Sequence, residues 1–167
     1  MKYYETKVEG LRIRVGEPED TDIILAFIRE LAEYEKMEDE VVANRETLYD
    51  SLFVRKQAEV ILAVFKEEIV GFALYFHNFS TFLGKANLYL EDLFIRPKYR
   101  SYGIGKSMLS CLAKIAVERN CERLDWWCLD WNEPSIQFYK KLGANPMSDW
   151  TVYRVDGKRL IQLSEEG

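Results

Sequence analysis

The chain of 167 residues is most simply one domain, residues 1–167, and at 48% hydrophobic it can bury a substantial core. Its net charge of −5, from 23 basic and 28 acidic residues, argues against a general nucleic-acid binder, which would carry a basic face. No apolar run approaches the roughly 20 residues that span a bilayer, so we expect neither a nucleic-acid nor a membrane partner.

Cysteine and histidine usage argues against a metal centre. The cysteines Cys111, Cys121 and Cys128 lack the spacing of metal ligands, and the only histidine is His77. An odd number of cysteines without a signal peptide predicts reduced thiols in a cytoplasmic protein. We therefore expect no metal, and we interpret His77 as a strand residue that packs or lies at the surface.

The first half of the chain predicts a strand, two helices and a hairpin. Residues 11–15 alternate apolar and polar side chains, as a strand does. Acidic residues then begin a helix that runs to about Tyr34, and a second helix is predicted over residues 45–53. Two apolar runs, 58–65 and 69–79, are rich in β-branched and aromatic residues and predict an antiparallel hairpin.

The second half alternates strands and helices before a final hairpin. A strand over residues 87–95 precedes a helix over 103–119, with Met108, Leu109, Leu112 and Ala116 on one face. A strand over 123–131 and a helix over 134–142, ended by Gly143, come next. Asp156-Gly157 predicts a tight turn between strands at 150–155 and 158–163. The order β-α-α-β-β-β-α-β-α-β-β predicts a mixed sheet with helices on both faces.

The segment around the fourth predicted strand carries the clearest chemical pattern. Two adjacent acids, Glu91 and Asp92, lie in an apolar strand that Pro97 ends. A short loop then supplies Arg100, Gly103 and Gly105 before the next helix. Because the first N–H groups of a helix lack partners and its dipole end is positive, such a loop can hold phosphate oxygens. The segment therefore predicts a phosphate-bearing cofactor beside a pair of carboxylates.

A nucleotide-binding P-loop is the competing interpretation of this loop. Gly105-Lys106-Ser107 matches the end of that motif, but the glycine required five residues earlier is Arg100. No acidic magnesium-binding strand follows convincingly. We therefore reject a kinase or NTPase.

Arg100-x-x-Gly103-x-Gly105 after a strand resembles the acyl-CoA diphosphate motif of the GNAT N-acetyltransferase superfamily. Three further segments resemble the spermidine/spermine (diamine) acetyltransferases: residues 30–36, 89–92 and 130–144. The thialysine acetyltransferases look similar too, especially at residues 129–132. The resemblance implies an α/β (mixed) fold, with a mostly antiparallel mixed sheet of about seven strands and four helices on both faces.

The resemblance also implies the activity. It implies an N-acetyltransferase that moves an acetyl group from acetyl-CoA, its cosubstrate, to a primary amine of a small cationic metabolite by direct attack in a ternary complex. A diamine, a polyamine or a thialysine- or lysine-like amino acid fits the second substrate. The family further implies a homodimer.

Roles for individual residues follow from the same resemblance. Glu91 would assist removal of a proton from the amine, and Tyr139 would donate a hydrogen to the departing thiolate. The amine would be held by four residues: Tyr34, Glu35, Asp92 and Trp131. The cofactor would contact residues of the strand, the loop and the later helix: Leu93, Phe94, Ile95, Arg100, Ser101, Tyr102, Gly103, Ile104, Gly105, Lys106, Asn132 and Ser135.

Purely structural roles are the alternatives for several of these residues. Glu91 can equally pair with a nearby cation, and Tyr139 has the spacing of a core aromatic. Asp92 and Glu91 point to opposite faces of a regular strand, so both line one surface only if the strand bulges. The segment 144–150 and the loop 78–84 also carry fewer acids than the polyamine enzymes, which leaves room for a single-amine substrate. A protein N-terminal or lysine acetyltransferase and an inactive CoA-sensing domain remain the alternatives.

Overall fold

The computed structural model describes all residues 1–167. Its six strands are β1 (Tyr3–Glu5), β2 (Leu11–Val15), β3 (Glu59–Phe65), β4 (Glu68–Ser80), β5 (Lys85–Ile95) and β6 (Leu124–Trp126). Its five α-helices are α1 (Thr21–Tyr34), α2 (Arg45–Tyr49), α3 (Ile104–Glu118), α4 (Glu133–Lys141) and α5 (Gly157–Ser164). The order and type of the predicted elements are confirmed as far as α4, with the short β1 added and with β6 shorter than predicted.

The strands form one open sheet in the order β1-β2-β3-β4-β5-β6. Neighbouring strands are antiparallel except β5 and β6, which are parallel. The β3–β4 hairpin turns on Lys66 and Glu67, both of which adopt positive φ. This confirms the mixed, mostly antiparallel α/β fold, although there are six strands and five helices where about seven strands and four helices were predicted.

One hydrophobic core lies between α1, α2 and the sheet. Ile24, Phe27 and Leu31 recur at helical spacing on α1 and are buried against Phe72 of β4 and Phe94 of β5. The rings of Phe27 and Phe72 are stacked, with centroids 5.5 Å apart. This packing fixes α1 over the central strands, and its last turn therefore has a defined position.

The helix α3 buries the predicted apolar face. Met108, Leu109, Leu112 and Ala116 are all buried, together with Ile104 at its first position. Because Ile104 is part of the core, the start of α3 is anchored directly after the glycine-containing loop.

The predicted strand over residues 123–131 is wrong beyond Trp126. β6 pairs with β5 only between Leu88–Leu90 and Leu124–Trp126. Because β6 ends at Trp126, β5 continues from Leu90 to Ile95 without a strand partner on this side.

The chain divides into two compact units, Met1–Trp127 and Cys128–Gly167. The second unit contains α4 and α5. No helix in the structure is both long and apolar enough to cross a bilayer.

The predicted C-terminal hairpin is wrong, because residues 150–155 form no strand and α5 replaces the second one. Asp156 is the extended residue before α5, and its carbonyl accepts from the N–H of Leu160 at 3.2 Å. The apolar residues Leu160, Ile161 and Leu163 do not alternate as a strand requires. Asp-Gly therefore begins a helix here instead of turning a hairpin.

Candidate functional site

A bulge in β5 places the two adjacent acids. Asp92 is opposite Leu74 and Leu90 is opposite Tyr75, so Glu91 is the extra residue on its strand. Glu91 is exposed, whereas Asp92 is half-buried. Asp92 and Phe94 are two residues apart beyond the bulge and lie on the same face of β5, which is the face that α1 covers. A bulge between Leu90 and Asp92 is the condition under which both acids can serve one site.

Among the acidic side chains, Asp92 has the pKa that folding raises most. Burial, with smaller contributions from the negative charges of Glu91 and Glu35, raises the pKa of Asp92 to about 7. Burial likewise raises the pKa of Glu35, the residue directly after α1. Asp92 and Glu35 are thus two half-buried acids with raised pKa values, and a cation near either would favour its charged form.

An ion pair fixes α1 against the end of β5. Arg96 donates two hydrogen bonds to Glu30, at 3.0 and 2.9 Å, and its guanidinium carbon lies 4.8 Å from the centroid of the Phe27 ring. Sequence analysis assigned no role to Arg96. The available signal was its position directly before Pro97, where a strand ends, and the presence of Glu30 one turn before Tyr34.

Arg100 forms a second connection between the same elements. Its Nε donates to the carbonyl of Ile95 at 3.0 Å. Its guanidinium carbon lies 5.1 Å from the centroid of the Tyr34 ring and 5.6 Å from that of the Phe94 ring. The first residue of the glycine motif therefore contacts the end of α1 and the end of β5.

The loop after Arg100 presents a run of free donors. None of the backbone N–H groups from Ser101 to Lys106 donates a hydrogen bond within the protein. Ser101 and Gly103 adopt positive φ of 71° and 79°, which turns the chain sharply before α3 begins at Ile104. Six donors in succession at the positive end of a helix form a cradle for an anion.

Aromatic contacts hold this loop in place. Phe65, at the end of β3, lies 6.2 Å from Tyr99 and 5.3 Å from Tyr102, measured between ring centroids. The hydroxyl of Tyr99 also donates to Glu68. The loop is therefore held at Tyr99, before its donor run, and at Tyr102, within that run.

The open edge of β5 carries further free backbone groups. The N–H of Arg96 donates to Val70 of β4 at 2.9 Å. Because backbone groups alternate along a strand, the N–H groups of Leu93 and Ile95 point to the opposite edge, where β6 has already ended. This edge can accept an extended ligand as an added strand, and it leads towards the donor run.

The predicted residues of the second unit lie around α4. Asn132 caps this helix, and its side-chain oxygen accepts from the N–H of Ser135 at 3.4 Å. Tyr139 is half-buried on α4, with its ring 5.6 Å from that of Phe138. Trp131 is exposed. Asn132 thus has a structural role in addition to the cofactor contact that the resemblance implies.

The chain resembles known proteins along most of its length. Residues 25–144 match the acetyltransferase (GNAT) family. A thialysine N-epsilon-acetyltransferase of Bos taurus is 35% identical, over 91% of this chain and 96% of its own. The spermidine/spermine N(1)-acetyltransferase-like protein 1 of Homo sapiens is 30% identical, over 97% of this chain and 25% of its own.

A solved structure has a similar fold. An integron cassette protein of V. cholerae superposes with a TM-score of 0.77 at 29% identity, over 94% of this chain and 99% of its own. The family match covers the donor run, the bulged strand and α4 together. The chain therefore belongs to the acetyltransferase (GNAT) family and is an acetyltransferase, as its sequence motifs predicted.

Proposed function

We propose that this protein transfers an acetyl group from acetyl-CoA to a primary amine of a small cationic metabolite. The observation that carries the proposal is the run of six free N–H groups at Ser101–Lys106, a few residues along the chain from the half-buried Asp92. An anionic cofactor and a cationic acceptor thus each have a complementary surface. The thialysine and spermidine/spermine relatives support an amine acceptor.

The residues present fit coenzyme A. The free donors of the loop, with Arg100 beside them and Lys106 in the first turn of α3, would hold the diphosphate. The outward N–H groups of Leu93 and Ile95 would pair with the amides of the pantetheine arm, while Phe94 packs in the core. Asn132 and Ser135 are proposed to contact the cofactor through the start of α4. When bound, acetyl-CoA would supply a thioester that a neutral amine can attack directly.

The amine needs a surface that binds it as a cation and then a route for its proton. An alkylammonium has a pKa near 10.4, so about one molecule in a thousand is neutral at pH 7, and deprotonation costs about 4–5 kcal/mol. Asp92 and Glu35, with Tyr34 and Trp131, are proposed to bind the cation. Glu91, exposed on the bulge, is proposed to pass the proton to solvent through water.

Tyr139 is proposed to stabilise the leaving thiolate. A thiol with a pKa near 8.5 is a stronger acid than a phenol with a pKa near 10, so full proton transfer is uphill by about 2 kcal/mol. A hydrogen bond donated to the developing negative charge lowers the barrier without that transfer. The position of Tyr139 on α4, after the motif at residues 130–144, supports this role.

Replacing Lys106 with glutamate tests the cofactor site. Lys106 is exposed in the first turn of α3, and reversing its charge beside a diphosphate should weaken CoA binding about tenfold. Lys114→Glu is the matched control, because Lys114 is exposed on the same helix beyond the first turn and should change CoA affinity little. Calorimetric titration of CoA into each variant measures the effect. Equal affinity of both variants for CoA would remove the diphosphate from this loop.

Replacing Tyr139 with phenylalanine tests the thiolate contact. The ring remains and only the hydroxyl is lost, so kcat should fall about 10–100-fold while the dissociation constant of acetyl-CoA stays nearly constant. Steady-state kinetics by free-thiol release, with binding measured separately, gives both values. An unchanged kcat would remove Tyr139 from the mechanism.

The same thiol-release assay with a panel of amines separates the candidate functions. Turnover of diamines, polyamines or thialysine supports the proposed activity, and turnover of peptides supports a protein acetyltransferase. CoA binding without turnover of any amine would instead support a CoA-sensing domain.

A homodimer in the cytoplasm is also proposed. Its support within the chain is the C-terminal segment, where Trp150, Val152 and Tyr153 are exposed, and a second copy could cover these apolar side chains. Light scattering on the purified chain tests this, since a monomeric mass would reject the dimer.

A further inference from the structure

Arg100 occupies the junction between the two surfaces of the proposed site. On its C-terminal side the free donors begin directly at Ser101. On its other side, its guanidinium lies over Tyr34, the neighbour of Glu35 in the chain, and Glu35 acts electrostatically on Asp92. One side chain thus connects the loop proposed for the diphosphate to the acids proposed for the amine.

The contacts of Arg100 are those of a positioning group. Its Nε is engaged by the carbonyl of Ile95 at 3.0 Å, and the guanidinium lies near the rings of Tyr34 and Phe94. Phe94 is buried in the core, so this partner is fixed, whereas Tyr34 is 37% exposed at the end of α1. Of the two ring partners, Tyr34 is therefore the more exposed.

We propose that Arg100 couples the binding of CoA to the binding of the amine, by holding Tyr34, and with it Glu35, in the arrangement that receives the cation. This rests on the proposed function. A diphosphate held at Ser101–Lys106 would fix the backbone from which Arg100 extends, and the ordered guanidinium would then stabilise Tyr34. Because linkage is reciprocal, bound amine must increase the affinity for CoA by the same factor.

Calorimetry on the full chain tests the coupling without turnover. CoA, which carries no acetyl group, is titrated into the protein with and without saturating thialysine. We expect thialysine to tighten CoA binding about tenfold, within the range usual for coupled sites. The ratio measured is the dissociation constant of CoA without thialysine divided by that with thialysine. In Arg100→Ala this ratio should fall to about one. In Arg100→Lys it should fall as well, because an ammonium cannot stack as a planar guanidinium does.

Variants of Tyr34 distinguish coupling from direct contact with phosphate. Tyr34→Phe keeps the ring and should keep the ratio, whereas Tyr34→Ala should abolish it and leave CoA affinity without amine unchanged. Arg12→Ala is the control, since Arg12 likewise lies over an aromatic ring, 5.2 Å from the centroid of Tyr3, but belongs to β2 and not to the loop. Thermal unfolding of each variant identifies any that fail to fold, and the paired Phe and Ala variants of Tyr34 then carry the comparison.

Two results would overturn the proposal. The first is a wild-type ratio of one, which leaves the proposed function intact. The second is an unchanged ratio in Arg100→Ala, and if CoA affinity then falls equally with and without amine, Arg100 is a phosphate ligand only. Failure of the wild-type protein to bind CoA at all is a separate result, which rejects the proposed function itself.

Discussion

Asp92→Asn is expected to stabilise the protein and to impair it as an enzyme, both at alkaline pH. Folding raises the pKa of Asp92 from 3.8 to about 7, so the folded state holds a proton that the unfolded state has released. The resulting cost is absent below about pH 4, grows as the pH rises, and is complete above about pH 7. Asparagine does not titrate, and at pH 8 the variant should therefore unfold with about 2–4 kcal/mol more free energy than the wild type.

The effect of Asp92→Asn on activity should have the opposite sign and the same pH range. The carboxylate that attracts the cation forms as the pH rises through about 7, where an alkylamine is still protonated. The wild-type KM for the amine should fall through this range, and that of the variant should not. At pH 8 we expect kcat/KM to be about 100-fold lower in the variant, as for loss of a charge-assisted contact.

Urea unfolding at pH 4 and pH 8, with KM measured between pH 6 and pH 9, checks both effects. Glu91→Gln is the matched control, because Glu91 is the neighbouring acid but is exposed. It should leave the free energy of unfolding nearly constant and lower kcat most at low pH, where less free amine exists. A stability gain for Asp92→Asn that is equal at both pH values would contradict the assignment.

Gly71→Ala is expected to be the most destabilising of these substitutions. Gly71 is buried in β4 opposite Ile95 of β5, and a Cβ atom added there would lie 2.5 Å from both the Phe94 carbonyl oxygen and Ile95 Cδ1. The oxygen belongs to the backbone of the neighbouring strand, so the clash is relieved only by separating β4 from β5. We expect a loss of about 3 kcal/mol or more.

Gly84→Ala is the control for the Gly71 substitution. Gly84 lies at the β4–β5 turn with a φ of +69° and no atom within 4 Å of an added Cβ, so only backbone strain of about 1 kcal/mol is expected. Because Ile95 carries one of the outward N–H groups, Gly71→Ala should also weaken CoA binding. Urea unfolding and CoA titration of the two variants test this. Similar losses of unfolding free energy and of CoA affinity in both variants would show that the close strand approach is not required.

Most of the fold could be predicted from the sequence because the patterns that indicate helices and strands are local. The spacing of Ile24, Phe27 and Leu31 predicts α1, and the apolar face of Met108 and Leu112 predicts α3. The hairpin predicted at Asp156-Gly157 is wrong because the same dipeptide is compatible with a hairpin turn and with the start of a helix. The residues after Gly157 decide between the two, since their apolar side chains do not alternate.

The relative roles of Glu91 and Asp92 depend on tertiary structure. From the sequence, proton removal was assigned to Glu91, and a regular strand would place Asp92 on the opposite face. The bulge changes this, since it turns Asp92 towards α1 and leaves Glu91 exposed. Register is a property of two strands, and neither strand encodes it alone.

By itself, the sequence determined the family, the mixed α/β class and the location of the glycine-containing loop, because a glycine motif after a strand and before a helix is read along the chain. Only the tertiary structure decided which acid is half-buried, that Arg96 pairs with Glu30, and that Arg100 contacts Tyr34. These contacts join residues 66 positions apart in the two cases, and burial and charge depend on neighbours that only folding brings together.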